Sequence, residues 1–395
     1  MLRPLRLPVV LRKSLLSVKS VPFTWFFSSF SVDLNQLSCT AALLSGTIRT
    51  CAMAAALTPE VAAAHPVTNC DPPVEKLPLP RPILMGGEEK MRAAVKNASL
   101  PAQLKEALCA EGVHMAEPEH VLGILQKMVR DGLDRFQVVT DFDQTLTRFH
   151  RDGQFSHSCY SIISRSPRTS DQFRSDSLKL HDHYVEIELD PTVPFEKKIP
   201  HMEEWWLKQH DLFLQLGFQE SWIKEMVRES TVEFRDRTDE FFQKLDNFRV
   251  PLLIYSAGID NLISGVLSER SNIKSTSLEP LIVANSMVFD EKGLLKGFRE
   301  ELIHSFNKNE IFPHHRDYFE KHSSRRNVLL MGDMIGDLAM ADGMRAKENV
   351  ITIGFLNTKI HSSFSLYSSS FDIVLIDDQS LNLPIAIVDA IGSSR

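Results

Sequence analysis

The stretch VVTDFDQTL, residues 138–146, joins an apolar run directly to two carboxylates, Asp141 and Asp143. The residues at 136–140 predict a short buried strand, so both acids follow its carboxyl end. Side chains two positions apart on an extended chain point the same way, and open parallel sheets bind ligands at that edge. Two unpaired carboxylates so close would repel each other and raise a pKa. The stretch therefore predicts either a divalent cation or phosphate chemistry with a shared proton.

Two more polar motifs follow predicted strands, and a lysine lies between them in the chain. Ser256, in LIYSAG at 253–258, precedes a predicted helix, an arrangement that grips phosphate. Asp333 and Asp337 follow the apolar run at 327–331 and offer the hard oxygen ligands that Mg²⁺ prefers. Lys308 can neutralise phosphate charge. Alone, each is more often a helix N-cap, a solvated turn or a surface lysine, but the ordered combination predicts a phosphate site.

The rest of the chain predicts an α/β fold with a helical insertion. Strand-like runs alternate with helical patterns, which indicates a parallel sheet with helices on both faces. The interval 155–245 instead carries long helical patterns, at 202–216, 220–228 and 238–247, and lacks a strong strand, so we expect a helical insert there. The predicted strands lie at 136–140, 250–255, 281–289, 294–298, 327–331, 350–355 and 372–376.

Composition limits the function classes. The formal net charge of -7, from 44 basic and 51 acidic residues, argues against a general nucleic-acid binder. No segment is apolar and long enough to predict a membrane span. Residues 1–32 are rich in Arg and Ser and lack acids, which is typical of an organellar transit peptide. The alternative is a disordered tail with Met53 as the start, and a Pro-rich linker is expected up to residue 85.

The ordered motifs resemble the haloacid dehalogenase superfamily of phosphohydrolases, in particular its phosphatase branch. A closer set resembles the cytosolic pyrimidine 5'-nucleotidase type III family over residues 90–395, and the leader suggests a plant member. The matching stretches are DFDQTLTRF at 141–149, IELDP at 187–191, MEEW at 202–205, SAG at 256–258, FNK at 306–308 and GDMIGDLAMADG at 332–343.

The resemblance implies a fold and its domain limits. A haloacid dehalogenase-like Rossmannoid core would be interrupted by an inserted α-helical cap domain. The core would comprise residues 86–154 and 249–395, and the cap would comprise residues 155–248. Residues 1–85 would form the transit-like segment and linker.

The resemblance also implies catalytic and metal-binding roles. Asp141 would attack phosphorus and form an aspartyl-phosphate, while Asp143 would protonate the leaving oxygen and then activate water. Mg²⁺ would be held by Asp141, Asp143, Asp333 and Asp337. The expected reaction is hydrolysis of a nucleoside 5'-monophosphate to nucleoside and phosphate. The base would be a pyrimidine, as in UMP or CMP, or 7-methylguanine.

Further positions would bind the substrate. Ser256, Ala257 and Lys308 would hold the phosphate, and Glu188 would contact the base. Gln209 stands where a small hydroxyl residue that contacts substrate is common in the family. The alternatives are a phosphatase for another small phosphate ester and a catalytically silent nucleotide-binding protein. We expect a monomer in the cytoplasm, or in the mitochondrion or chloroplast if the leader directs it there, with neither a nucleic acid polymer nor a membrane as partner.

Overall fold

The computed structural model describes residues 81–190, 192–299, 301–309, 315–342, 344 and 347–393, and for 81–86 it describes the main chain. The predicted leader and the linker up to residue 80 lie outside these residues. The first helix begins at Arg81, inside the segment expected to be linker. Within the described part of the chain, no helix combines the length and apolar character needed to cross a bilayer.

Helices and strands alternate along most of the described chain. In chain order they are α1 (Arg81–Asn97), α2 (Ala102–Leu108), β1 (Val113–His114), α3 (Pro118–Asp131), β2 (Phe136–Thr140), β3 (His150–Arg151), β4 (Gln154–Phe155), α4 (Cys159–Ser164), α5 (Asp171–Leu189), α6 (Phe195–Leu216), α7 (Trp222–Glu229), α8 (Thr238–Asn247), β5 (Leu252–Ile259), α9 (Asp260–Arg270), β6 (Leu281–Asn285), β7 (Met287–Phe289), β8 (Leu295–Phe298), α10 (Arg316–Lys321), β9 (Asn327–Gly332), β10 (Asn349–Leu356), α11 (Ile360–Ser370), β11 (Ile373–Ile376) and α12 (Asn382–Gly392).

The central sheet is mostly parallel, as predicted. Its seven strands run in the order β1-β11-β10-β9-β2-β5-β6. Every neighbouring pair is parallel except β1 with β11, an antiparallel edge that the sequence did not predict. Strands β2 and β9 are buried at every position, which is why they read as continuous apolar runs rather than as alternating patterns.

Helices cover both faces of this sheet, which confirms the predicted fold class. Val138 and Leu329 belong to the large core cluster that includes residues of α3, α9 and α12. Their neighbours Val139 and Leu330 point to the opposite face, where they cluster with Phe319 of α10. The alternation of side chains along a strand therefore builds two cores around one sheet.

The chain between β2 and β5 forms the helical insertion, and we call residues 155–248 the cap segment. In it, α5 packs against α6, whereas α8 packs against α12 of the core. An apolar cluster contains Tyr184, Met202 and Trp206 of the cap segment together with Phe306, close to Lys308 in the chain. The insertion thus contacts the core beside the expected phosphate site.

Candidate active site

Three adjacent strands bring the acidic and hydroxyl motifs to one edge of the sheet. Strand β2 lies between β9 and β5, so Asp141, Asp333 and Ser256 all lie at or near the carboxyl ends of neighbouring parallel strands. The main-chain N–H of Asp141 donates to the carbonyl of Met331 at 2.9 Å, which continues the β2–β9 pairing to the first acid. The expected convergence of these motifs is therefore present.

Lys308 lies between two of the acids. Its Nζ donates to Asp141 Oδ1 at 2.6 Å and to Asp337 Oδ1 at 2.7 Å. The Lys308 side chain is only 3% exposed. Burial alone would lower the pKa of Lys308, but the two carboxylates raise it, so the ammonium is charged at neutral pH. A buried cation is thus fixed beside the predicted nucleophile.

The acids outnumber this cation. Oxygen atoms of Asp141, Asp333 and Asp337 lie within 4.8 Å of one another. Burial raises the pKa of Asp141 to about 6 and the Asp337 charge adds to this, while Lys308 opposes it. Burial and the charge of Asp141 raise the pKa of Asp333 well above its usual range. Clustered carboxylates with one ammonium favour a divalent cation, and oxygen-only donors fit Mg²⁺.

Asp337 is oriented by the main chain around it. Its Oδ2 accepts from the N–H groups of Asp333 at 3.0 Å and Met334 at 2.9 Å, while Oδ1 faces Lys308. The Asp337 carboxylate therefore connects the turn after β9 to the loop that carries Lys308. Both Asp337 oxygens thus have protein partners, and the place of Asp337 among the expected Mg²⁺ ligands stays a prediction.

Asp143 occupies a separate environment next to the start of the cap segment. Its Oδ1 accepts from the main-chain N–H of Cys159 at 2.9 Å. A Cβ at Gly258 would lie 3.1 Å from Asp143 Oδ2, so the strand β5 motif passes directly beside this acid. Burial and the charge of Asp141 raise the pKa of Asp143 to about 7. A carboxyl that titrates near neutrality can both give and take a proton.

The Ser256–Gly258 segment interrupts the pairing of β5. The β5–β6 register shifts between Tyr255 and Ile259, which frees the intervening main chain from regular pairing. Ser256 is 1% exposed, and its Oγ accepts from the N–H of Gly258 at 3.0 Å. The Ala257 carbonyl accepts from Trp206 Nε1 at 3.0 Å. The hydroxyl and the Ala257 main chain therefore lie at the edge that carries the acids.

Glu188 and Gln209 both lie in the cap segment, but in different surroundings. Glu188 Oε1 accepts from Ser305 Oγ, three residues before Lys308 in the chain. Gln209 is 5% exposed and its Oε1 accepts from Ser177 Oγ at 2.9 Å, between α6 and α5. The Gln209 Nε2 has no hydrogen-bond partner among the described residues. The contacts thus join Glu188, but not Gln209, to the loop that carries Lys308.

The adjacent residues Trp205 and Trp206 of α6 differ in how far they are exposed. Trp206 is 8% exposed and its Nε1 donates to the Ala257 carbonyl of the core. Trp205 is partly exposed and stacks on Tyr184 with ring centroids 5.8 Å apart. Trp205 is therefore the more accessible of the two rings.

Sequence reasoning missed Ser305 and Arg235. Arg235 is 1% exposed and its Nε donates to the carbonyl of Thr145 at 2.6 Å, within the turn that follows Asp143. A buried arginine resembles any surface arginine in sequence. Ser305 carried a signal, since it directly precedes the FNK stretch, but a lone serine does not reveal a distant acceptor.

The strand ends of this α/β sheet bring together several aspartates, a serine hydroxyl and a buried ammonium. This combination is typical of a haloacid dehalogenase-like phosphohydrolase. The comparisons with known proteins agree with this class. The chain belongs to the pyrimidine 5'-nucleotidase (UMPH-1) family, whose sequence profile matches residues 144–392. It is a 5'-nucleotidase, a phosphoric monoester hydrolase. Asp141 and Asp143 lie just before the matched range.

Individual relatives extend over most of the described chain. The 7-methylguanosine phosphate-specific 5'-nucleotidase of Homo sapiens is 39% identical over 271 residues, which are 69% of this chain and 89% of that protein. The enzyme of the same description from Drosophila melanogaster is 34% identical over 309 residues, 78% of this chain and 95% of its own. The crystal structure of cytosolic 5'-nucleotidase IIIB bound to cytidine matches with a TM-score of 0.66 and 32% identity, covering 73% of this chain and 96% of that one. The family resemblance is confirmed, and a plant origin stays a prediction.

Proposed function

We propose that the protein is a Mg²⁺-dependent 5'-nucleotidase that hydrolyses nucleoside 5'-monophosphates through an aspartyl-phosphate on Asp141. The observation that carries this proposal is the buried Lys308 ammonium, whose Nζ lies 2.6 Å from Asp141 Oδ1. The carboxylates of Asp333 and Asp337 lie beside it. A carboxylate can approach an anionic phosphate only where positive charge offsets the repulsion. The site supplies one such charge itself and the ligands for another.

The two acids of the DFD stretch divide the reaction between them. Asp141 attacks phosphorus as the bond to the nucleoside 5'-oxygen breaks, and Asp143 gives that oxygen its proton. Asp143 then takes a proton from the water that hydrolyses the aspartyl-phosphate, so the carboxyl returns to its starting state. Mg²⁺, held by Asp141, Asp333, Asp337 and the Asp143 carbonyl, would supply charge neutralisation to the phosphoryl group. Ser256, Ala257 and Lys308 bind the phosphate oxygens.

We assign base recognition to the cap segment, with Glu188 as its polar contact and Gln209 as a second, weaker candidate. The names of the relatives favour 7-methyl-GMP, while the family description and the cytidine-bound structure favour a pyrimidine nucleotide. Residues 155–248 would act as the cap domain between core segments 86–154 and 249–395. The solved relative described as cytosolic supports a cytoplasmic enzyme, and the monomeric state stays a prediction.

A substrate panel tests the proposal. Phosphate release from CMP, UMP and 7-methyl-GMP should exceed release from phosphoserine and ribose 5-phosphate, and EDTA should abolish it. Asp141→Asn should lower kcat by several orders of magnitude, because the covalent step is lost. The exposed Asp182→Asn is the control.

Two results would contradict the proposal. Faster turnover of the small esters than of every nucleotide would indicate a phosphatase for another phosphate ester. Nucleotide binding without phosphate release by the wild-type protein would indicate a silent nucleotide-binding protein.

A further inference from the structure

A hydrogen bond crosses from the core to the cap segment at Ser305. The Ser305 hydroxyl donates to Glu188 Oε1, although the two residues are 117 positions apart in the chain. Ser305 is 8% exposed, so water competes little for this bond. Burial raises the pKa of Glu188, and the bond from Ser305 opposes that rise by favouring the ionised carboxylate.

The core holds the main chain of Ser305 in a fixed place. The backbone of Gly336 packs so closely against Ser305 that an added Cβ would lie 2.0 Å from the Ser305 carbonyl oxygen. Gly336 directly precedes Asp337, and Asp337 accepts from Lys308 at 2.7 Å. The hydroxyl therefore projects from a segment that is braced by the phosphate site itself.

The cap side of the bond is braced as well. Lys198 Nζ donates to the main-chain carbonyl of Glu188 at 2.6 Å and lies 5.7 Å from the centroid of the Phe306 ring. Phe195 meets the same ring with centroids 4.8 Å apart. The start of α6 thus contacts Phe306, next to Ser305, and also holds the end of α5 through the Glu188 carbonyl.

We infer that Ser305 is a specificity-determining positioning residue, which orients the Glu188 carboxylate toward the base of the substrate. This inference rests on the proposed function, because it takes Glu188 as the contact to the base. One Glu188 oxygen is occupied by the Ser305 hydroxyl, which leaves Oε2 to accept an N–H from the base. A base that presents an amino or ring N–H group is the ligand that this oxygen recognises. Because Ser305 is three residues before Lys308, it also fixes the base relative to the phosphate.

Ser305→Ala tests the inference through substrate selectivity. For CMP or 7-methyl-GMP, whichever the wild-type enzyme prefers, kcat/KM should fall roughly tenfold more than for ribose 5-phosphate, which has no base. The loss should fall mainly on KM, since the reacting atoms keep their partners. Ser305→Thr retains the hydroxyl and should restore the preference, and the exposed Ser323→Ala is the matched control.

A double-mutant cycle with Glu188→Ala makes the test specific. If Ser305 acts through Glu188, the two losses in nucleotide selectivity should not add, because each variant removes the same interaction. Additive losses would overturn the inference, and so would an equal loss on ribose 5-phosphate and on the nucleotide. In either case the proposed function would still stand if the wild-type enzyme prefers nucleotides. A wild-type enzyme without nucleotide preference would instead refute the proposed function, and the inference with it.

Discussion

Arg235 holds the turn that follows Asp141 and Asp143. Its guanidinium donates to the carbonyls of Gln144, Thr145 and Asp378 and to Asn357 Oδ1 at 2.9 Å. Gln144 adopts a φ of 61°, a left-handed conformation that an unbraced turn would resist. Burial lowers the pKa of Arg235 to about 9, so the group is charged at neutral pH.

Replacing Arg235 should therefore cost both stability and activity. Arg235→Met leaves several buried carbonyls without a donor, and we expect a loss of about 3 kcal/mol in the free energy of unfolding. The turn at Gln144 and Thr145 would also relax, and kcat should fall because Asp143 would no longer be held in position. Urea unfolding and steady-state kinetics measure the two effects. Arg237→Met, on an exposed side chain of the same loop, is the control, and equal effects of the two variants would contradict the assignment.

The separation in sequence between a residue and its contacts explains which site residues could be predicted. Asp141, Asp333 and Ser256 could be predicted because each follows an apolar strand, which is a local signal. Arg235 reaches Thr145 across 90 positions and Asn357 across 122. Such partners meet only once the sheet order is known, so nothing near Arg235 in the sequence marked its role.

Elements were predicted well where one local signal dominated. Strand β2 occupies the predicted residues 136–140, and α8 occupies the predicted 238–247. Helix α6 begins at Phe195, earlier than the predicted 202, because Pro200 lies inside it and proline normally marks a helix boundary. Strand β1 has only two residues, and its pairing with β11 comes from tertiary contact rather than from any periodicity.

His210 of α6 gives the packing of the cap segment a pH dependence. Its ring stacks on Phe298 with centroids 3.6 Å apart, and Nε2 shares a hydrogen bond with the Tyr160 hydroxyl at 2.9 Å. Burial lowers the pKa of His210 from 6.5 to about 4. Between these values the unfolded chain binds a proton that the folded protein excludes, so the stabilisation is complete above pH 6.5 and is lost on acidification.

Acidification should therefore reveal the contribution of this histidine. Between pH 7 and pH 5, wild-type protein should lose about 2 kcal/mol more unfolding free energy than His210→Gln. Urea midpoints across that range measure the difference, and the exposed His361→Gln is the control. A wild-type profile parallel to that of His210→Gln would show that His210 is protonated as easily when folded.

Across the whole molecule, the sheet and the insertion contribute different parts of one site. Motifs separated by up to about two hundred positions converge because parallel strands end at one edge. The insertion contributes Glu188 and Trp206, which meet the core at Ser305 and Ala257. Under the proposed function, the core motifs act on the phosphate, and the insertion supplies the contacts that select among phosphate esters.

Convergence of the acids also leaves the molecule with buried repulsion that a metal would relieve. Asp333 lies near Asp141 and Asp337, which share the Lys308 ammonium, and burial and these two acids raise the pKa of Asp333.

Mg²⁺ should therefore stabilise the folded state by about 2.7 kcal/mol at one hundred times its Kd, measured as a higher Tm with Mg²⁺ than with EDTA. Asp333→Asn should abolish that increase. In EDTA, however, it should melt at or above the wild-type temperature, because the substitution removes one of the repelling charges. The exposed Asp182→Asn should keep the full response to Mg²⁺. A lower Tm for Asp333→Asn than for the wild type in EDTA would mean that Asp333 itself stabilises the fold. The acidic cluster would then not be a cation-binding site.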